Sequence, residues 1–263
     1  LFTSPTIQKN RLLRPFPHMS VGANGLQAQA QPLGKVRTHA VEVSFQRRFS
    51  QGLSLNAAYS GIRAEEWLNI INEYDGAPTQ WITSQQARPH RITLNGVYEL
   101  PFGRGRRFLS NGGPLGMILG GWQTGQTFEW QPGPLLQFAN VFFYGDVDDI
   151  AVDDPTINQW FNVDAGFERS ATRIPAEFQE RLFPLRVDGL RGHPTLLLNS
   201  SISRSFPLIG RSTLQIRLDA ANMLNRQQFA NPQLNPTATD FGRVTANANT
   251  EPRFLILMSK LTF

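Results

Sequence analysis

A short acidic segment comes nearest to binding chemistry in this chain. Residues 145–154 have the sequence GDVDDIAVDD, and carboxylate oxygens are the ligands that Ca²⁺ prefers. The segment lacks the ligand spacing and the closing glutamate of an EF-hand loop, and a solvated loop explains the same composition, so we prefer that interpretation. The weak calcium candidates are Asp146, Asp148, Asp149, Asp153 and Asp154.

The other residue types that bind metals or attack substrates do not form known motifs. His18, His39, His90 and His193 show neither i, i+4 pairing nor a metalloprotease motif. The sequence contains no cysteine, which excludes disulfides, thiolate metal sites and cysteine nucleophiles. We therefore predict no metal site beyond the weak calcium candidates.

Nothing in the sequence indicates catalysis. The segment Gly103–Arg107, GRGRR, has the glycines and charge of a phosphate loop but lacks its third glycine and following helix. No G-x-S-x-G nucleophile motif is present, and no carboxylate pair is placed for acid–base work. We expect a protein that is not an enzyme and has no cofactor.

Seven segments alternate apolar and polar residues, the period of a β-strand. Each is close to the ~10 residues with which a tilted strand crosses a bilayer, whereas no apolar run approaches the ~18 residues of a membrane helix. The segments are Thr38–Phe49, Leu53–Gly61, Arg91–Leu100, Met117–Gln131, Thr195–Phe206, Thr213–Leu224 and Arg253–Phe263.

The connectors alternate between short and long. Residues 50–52, 101–116 and 207–212 form short or medium turns, while the connectors at 62–89, 132–194 and 225–252 are long and polar. This order is typical of outer-membrane barrels, which have short periplasmic turns and long outer loops. The predicted fold is all-β: an antiparallel transmembrane β-barrel, of which this chain supplies only the last seven or so strands.

The polar faces of several predicted strands carry Arg, Glu and Asp, which suits a wide, wet lumen better than a dry core. Trp122, Phe128 and Trp130 share the opposite face of one strand, where we expect an interfacial aromatic belt rather than a ligand-stacking platform. The lumen-facing candidates are Glu42, Gln46, Arg91, Asn95, Glu129, Arg217 and Asp219.

The end of the chain also suits a membrane strand. Leu255, Leu257, Leu261 and Phe263 share one face, and Phe263 would lie at an aromatic girdle. The net charge of +5 comes mostly from scattered arginines rather than from a basic tract with interleaved aromatics, which argues against a nucleic-acid partner. We expect a bacterial outer-membrane location with the lipid bilayer as a partner.

Segments along the whole chain carry a family likeness. They are NRLLRPFP at 10–17, FQRRFSQGLSLNAAY at 45–59, RPHRITLNGVYELPFGRGRRF at 88–108, LGGW at 119–122, WFNVDAGF at 160–167, LRGHPTLLLNSSISRSF at 190–206, IRLDAANMLNRQQF at 216–229, NP at 231–232 and FG at 241–242. In this order and spacing they resemble the carboxy-terminal barrel of Oar-like TonB-dependent outer-membrane receptors, which often carry a carboxypeptidase-regulatory-like domain.

The resemblance implies a barrel of about 22 strands around a plug. Residues 1–263 would be the carboxy-terminal part, with the plug and signal peptide expected upstream. The implied function is energy-coupled uptake of an unknown ligand, with the TonB complex acting through the plug. Phe263 would be the assembly signal for the barrel-assembly machinery.

Two other functional classes fit the alternation. A soluble secreted all-β module, for example one that binds carbohydrate, would also show a period of two. A passive porin or adhesin barrel would show the same strands and loops. Detergent partitioning separates the soluble module from the barrels, and a plug with a TonB box separates a transporter from a porin.

Overall fold

The computed structural model describes residues 12–13, 16–17, 32–72, 75, 77–111, 113–170, 172–173, 180–248 and 252–263. Half of the segment at 10–17 that contributes to the family likeness, and His18, lie outside the described residues. In this part of the chain no helix is long and apolar enough to span a membrane.

Ten strands and two short helices make up the described secondary structure. The strands are β1 (Lys35–Ser50), β2 (Leu53–Trp67), β3 (Ile82–Thr83), β4 (His90–Glu99), β5 (Trp122–Gln131), β6 (Leu135–Gln137), β7 (Arg186–Arg191), β8 (Thr195–Pro207), β9 (Thr213–Ala221) and β10 (Phe254–Thr262). Helix α1 covers Gly113–Leu119, and a 3₁₀ helix covers Val147–Ile150.

Seven long strands form one antiparallel meander in the order β1-β2-β4-β5-β8-β9-β10. β3 adds two residues beside the end of β2, and β6 and β7 form a separate pair. The prediction of an all-β fold with an antiparallel wall of seven long strands is confirmed. Alternating side chains identify these strands because each presents one face to lipid and the other to a polar surface.

The segment Met117–Gln131 was predicted as a single strand, and this is wrong at its start. Residues 117–119 belong to helix α1, and β5 begins only at Trp122. Gly121 has a φ of +75°, which a strand residue cannot adopt, so the chain turns before the strand begins. β2, by contrast, is longer than predicted, because it continues to Trp67, six residues beyond its predicted end at Gly61.

The sheet does not close on itself within the described residues. β1 and β10 are the two ends of the strand order, and every residue of β10 is exposed. Unpaired backbone groups are costly in lipid, and a spanning sheet satisfies them by closing into a barrel. The seven strands are therefore a section of a larger barrel wall.

The buried core lies in the long connectors rather than in the sheet. Its members come mainly from residues 136–190, with Phe241 added from the last connector. The connector at 132–194 was predicted to be long and polar, but aromatic residues far apart in this segment pack together into a core. The buried members are Leu136, Phe138, Val141, Ile150, Trp160, Phe161, Phe167, Phe183, Val187, Leu190 and Phe241.

Candidate functional site

One face of the main sheet carries mostly polar side chains, and we call it the polar face. Residues directly opposite each other on neighbouring strands share a face. One row across five strands consists of Gln46, Asn56, Asn95, Thr127 and Asn199. The row presents amide and hydroxyl groups without an apolar interruption, so hydrogen-bonding groups line its whole width.

All seven residues predicted to face a lumen lie on the polar face. Glu42 is opposite Ser60, which is opposite Arg91 on the next strand, and Glu129 is opposite Thr93. That this face borders a lumen stays a prediction. The seven are Glu42, Gln46, Arg91, Asn95, Glu129, Arg217 and Asp219.

Two arginines on the polar face are paired with acidic side chains. Arg91 Nη2 lies 3.0 Å from Glu129 Oε1, and Arg217 Nε lies 2.7 Å from Asp219 Oδ1. Because both arginine side chains are about half exposed, each pair stabilises the fold by at most ~1 kcal/mol. The pairs cancel much of the local charge, so this part of the face does not favour one sign of ligand charge.

An open pocket of about 560 Å³ lies on the polar face over β4, β5, β8 and β9. Gly125 forms part of its lining, and a Cβ atom there would stand 2.6 Å from Ser201 Oγ, so the absence of a side chain leaves room for the Ser201 hydroxyl. The polar side chains of the pocket are those of Asn95, Gln123, Thr127, Asn199, Ser201, Ser203, Arg217 and Asp219.

The opposite face, which we call the apolar face, carries large hydrophobic side chains. One row consists of Val43, Tyr59, Ile92, Trp130 and Leu196. Another row on this face contains Tyr98, Thr124, Ile202 and Leu218 and ends at Leu257, whose residue surface is 73% exposed. A largely apolar face of this size is not stable in water and is the outer surface of a membrane barrel.

Two polar residues at the centre of the apolar face satisfy each other. Ser200 donates a hydrogen bond to Gln126 Oε1 across β5 and β8. In lipid an unpaired polar group costs several kcal/mol, so this contact removes a penalty rather than marking a binding site.

The aromatic residues of β5 lie as an interfacial belt requires. Trp122 and Trp130 are the first and ninth residues of the strand, about 26 Å apart at ~3.3 Å per residue. At the ~35–45° tilt of barrel strands this separation is about 20 Å along the membrane normal, close to the ~25 Å height of the apolar band. Phe128 lies between them on the same face.

A family profile described as "Outer membrane beta barrel domain" matches residues 2–255. The chain belongs to this family. The barrel therefore lies in the bacterial outer membrane, and its apolar face contacts the lipid bilayer. By the general rule for such barrels, the short turns lie in the periplasm and the long connectors outside.

This outer-membrane barrel is also similar to a solved structure, the outer membrane transporter YddB from Escherichia coli. The identity is 15% and the TM-score 0.42, over 87% of this chain and 26% of the YddB chain. The chain thus spans about a quarter of that structure's length. No curated protein matches the chain.

The two last long connectors of the barrel form a compact body, which we call the outer-loop unit: the described residues of 132–194 and 225–248. Phe138 is the centre of its aromatic core, with ring centroids 5.7 Å from Phe161 and Phe167 and 5.4 Å from Phe183. Phe241 lies 5.0 Å from Phe167 and so ties the second connector to the first.

A buried ion pair fixes the outer-loop unit to the end of β2. Arg186 Nη1 lies 2.6 Å from Glu66 Oε1, with side chains only 6% and 12% exposed. Thr83 Oγ1 also donates to Asp188 Oδ1 at 3.0 Å. Loss of one partner of a buried pair is strongly destabilising, so these contacts hold the unit in one position above the wall.

Arg181 organises the backbone inside the outer-loop unit. Its Nε donates to Phe183 O at 2.9 Å, and its Nη2 donates to Phe138 O at 2.9 Å and to Pro184 O at 3.0 Å. Burial lowers the pKa of Arg181 below its ordinary value, yet an arginine stays charged at neutral pH. The side chain therefore serves as a charged cross-link between backbone carbonyls.

The calcium candidates have a structural environment in this unit. Asp146 Oδ1 accepts a hydrogen bond from the Asp148 N–H at 3.0 Å and caps the 3₁₀ helix, whose last residue, Ile150, is fully buried. Across the described part of the chain, no three His, Asp or Glu side chains are grouped as metal ligands would be. The structure does not gather Asp146, Asp148, Asp149, Asp153 and Asp154 into one site.

Sequence reasoning missed the outer-loop unit, including Arg181, Arg186 and Glu66. A signal was present, because phenylalanine recurs throughout a connector that we classified as polar. The phenylalanines at 138, 142, 143, 161, 167, 178 and 183 indicate a core in a segment that shows no strand periodicity.

His193 should make the outer-loop unit sensitive to acid. Its ring lies 6.0 Å from that of Trp160 and 5.1 Å from that of Phe229, and its buried Nε2 has no hydrogen-bond partner among the described residues. Burial, with a smaller contribution from Arg226, lowers the pKa of His193 below 6.5. When the outer-loop unit unfolds, His193 is exposed to water and has its ordinary pKa of about 6.5. Below that pH the unfolded state binds a proton more readily than the folded state, so the folded unit loses stability as the pH falls.

We expect proteolysis of residues 132–194 to accelerate between neutral pH and about pH 5. His193→Phe keeps the ring contacts and should remove most of this pH dependence, while His39→Phe on the exposed surface of β1 should leave it unchanged. The same pH dependence in His193→Phe as in the wild type would show that another group controls it.

Proposed function

We propose that the chain forms part of the wall of a TonB-dependent outer-membrane transporter that takes up a polar ligand. The observation that supports this best is the polar face itself, with rows of amide and hydroxyl groups beneath a folded outer-loop unit. A barrel with a dry, packed interior does not need amide and hydroxyl groups on its inner face, because side chains facing such an interior are usually apolar.

The ligand class follows from the chemistry of the polar face. Asn95, Thr127 and Asn199 offer donors and acceptors, while Arg91 and Arg217 are neutralised by neighbouring carboxylates. This combination favours an uncharged, hydroxyl-rich ligand over an anion or a cation. An oligosaccharide fits this description.

The proposed mechanism is energised uptake. The outer loops bind the ligand, the TonB complex displaces an upstream plug, and the ligand crosses along the polar face. The requirement for a plug and for TonB rests on the resemblance to Oar-like receptors. We also propose that Phe263, which is 89% exposed beyond the end of β10, is the residue that the barrel-assembly machinery recognises.

Reconstitution of the full-length protein in liposomes tests the proposal. A plugged transporter should give no swelling with arabinose or raffinose, and the purified periplasmic domain of TonB should bind it. Rapid swelling with both sugars and no TonB binding would contradict the proposal and would identify a passive porin instead.

A further inference from the structure

Helix α1, in the turn between β4 and β5, exposes an apolar surface outside the sheet. Its exposed fractions are 63% for Leu115, 72% for Met117 and 63% for Ile118. A helix of seven residues is not stable in water by itself, and three exposed apolar side chains add no stability there. The surface requires an apolar environment on the periplasmic side of the wall.

Hydrogen bonds place α1 at the border of the apolar face. The Trp122 indole N–H donates to Ile118 O at 2.9 Å, and Arg204 Nη1 donates to the same oxygen at 2.6 Å. Arg204 Nη2 also donates to Met117 O. Trp122 and Arg204 are direct cross-strand partners on the apolar face, so the helix surface is continuous with the surface that contacts lipid.

Close backbone packing holds α1 in this orientation. A Cβ atom on Gly120 would stand 2.5 Å from Gly116 O and 2.9 Å from the Cα of Gly103, so only glycine permits this approach. Phe102 and Phe108 pack together at the base of the turn, with ring centroids 5.7 Å apart. The exposure of Leu115 and Met117 is therefore a fixed feature of the turn.

Positive charge surrounds the same turn. Arg104, Arg106 and Arg107 are exposed, and Glu99, the acidic residue at this end of β4, is bound to Arg106. Arg107 lies over the Phe108 ring, 5.5 Å from its centroid. Arg104 and Arg107 thus add positive charge beside an apolar helix, a combination that complements an anionic phospholipid.

We propose that this turn is a phospholipid-binding anchor in the periplasmic leaflet. Leu115, Met117 and Ile118 insert at the boundary between headgroups and acyl chains, while Arg104 and Arg107 bind the phosphates of anionic phospholipids such as phosphatidylglycerol. Arg204 belongs to the anchor as a positioning residue, because it holds the helix through its terminal carbonyls. This inference rests on the outer-membrane location and not on the proposed transport.

The insertion of α1 is tested with single thiols, because the chain contains no cysteine. A fluorophore on Leu115→Cys in the membrane-inserted protein should be quenched by lipids with brominated acyl chains and protected from aqueous iodide. The same label on Leu257→Cys is the lipid-facing control, and on Gln51→Cys, in the β1–β2 turn, the aqueous control. Iodide quenching at Leu115→Cys as strong as at Gln51→Cys would overturn the insertion.

The headgroup contact is tested by native mass spectrometry with phosphatidylglycerol and phosphatidylcholine. Arg104→Gln with Arg107→Gln should weaken phosphatidylglycerol binding by about fivefold per arginine and leave phosphatidylcholine binding unchanged. Lys35→Gln with Arg253→Gln removes the same charge from exposed positions at the outer end of the wall and is the matched control. Equal phosphatidylglycerol binding by the two double variants would overturn the headgroup contact.

Discussion

Replacing Leu218 with arginine should reduce the yield of membrane-inserted barrel far more than replacing its neighbour Asp219 with leucine. Leu218 lies near the middle of β9 on the apolar face, opposite Ile202 and Leu257. An arginine that faces lipid near the bilayer midplane costs ~2–4 kcal/mol. Asp219 lies on the polar face, where its loss removes only a half-exposed ion pair with Arg217.

Heat-modifiable migration of the outer-membrane fraction measures the folded yield. Gln215→Arg is the matched control, because it introduces the same residue into the same strand on the polar face. We expect this variant and Asp219→Leu to migrate like the wild type, while Leu218→Arg accumulates in the unfolded band. Similar losses in Gln215→Arg and Leu218→Arg would contradict the assignment of the two faces.

The strands and their faces could be predicted because both depend on a local pattern. In β9, Leu214, Ile216 and Leu218 alternate with Gln215 and Arg217, and the structure keeps that alternation in the register with β10. Lipid on one side and polar groups on the other impose this period on every spanning strand. No contact between distant residues is needed to recognise it.

The candidate site was predictable only in its residue types. The alternation placed Gln46, Asn95 and Thr127 on polar faces, but not in one row, since register depends on turn geometry and strand pairing. The β1–β2 turn uses Gln51 at φ +53° and Gly52 at φ +80°, and the register of the strands shifts between Arg47 and Ser50. A shift of one residue would have changed which side chains line the pocket.

The recurring phenylalanines could have indicated a core in the outer-loop unit, but the contacts that build this unit and helix α1 could not be predicted, because they join distant residues. The turn that contains α1 depends on the approach of Gly103 to Gly120, which leaves no periodic signal. Arg186 pairs with Glu66, 120 residues earlier in the chain, and Phe241 packs on Phe161 and Phe167 from another connector. Tertiary packing of this kind overrides a reading based on composition alone.

These contacts give the outer-loop unit a stability separate from that of the wall. Strands in the membrane are held by ladder hydrogen bonds and by lipid, whereas the unit depends on a water-excluded aromatic core. The Arg186–Glu66 ion pair connects the outer-loop unit to the wall, while the aromatic core lies entirely within the unit. A core mutation in the unit should therefore change the loops and leave the wall intact.

Phe138→Ala should open the outer-loop unit while the barrel remains folded. Phe138 is 1% exposed and contacts three other phenylalanine rings, so truncation leaves a cavity at the centre of the core. Substitutions of this kind cost about 3–5 kcal/mol. The backbone hydrogen bonds from Phe138 N–H to Leu185 O and from Arg181 to Phe138 O need no side chain at this position, so the effect isolates the aromatic packing.

Hydrogen–deuterium exchange of the membrane-inserted protein measures this effect region by region. We expect residues 132–194 to lose protection in Phe138→Ala, while β8 and β9 keep theirs. Tyr144→Ala is the matched control, because it removes an aromatic ring that is 65% exposed in the same unit. Unchanged protection in Phe138→Ala would mean that the connectors do not depend on the aromatic core, whereas loss of protection throughout β8 and β9 would mean that the unit and the wall fold as one.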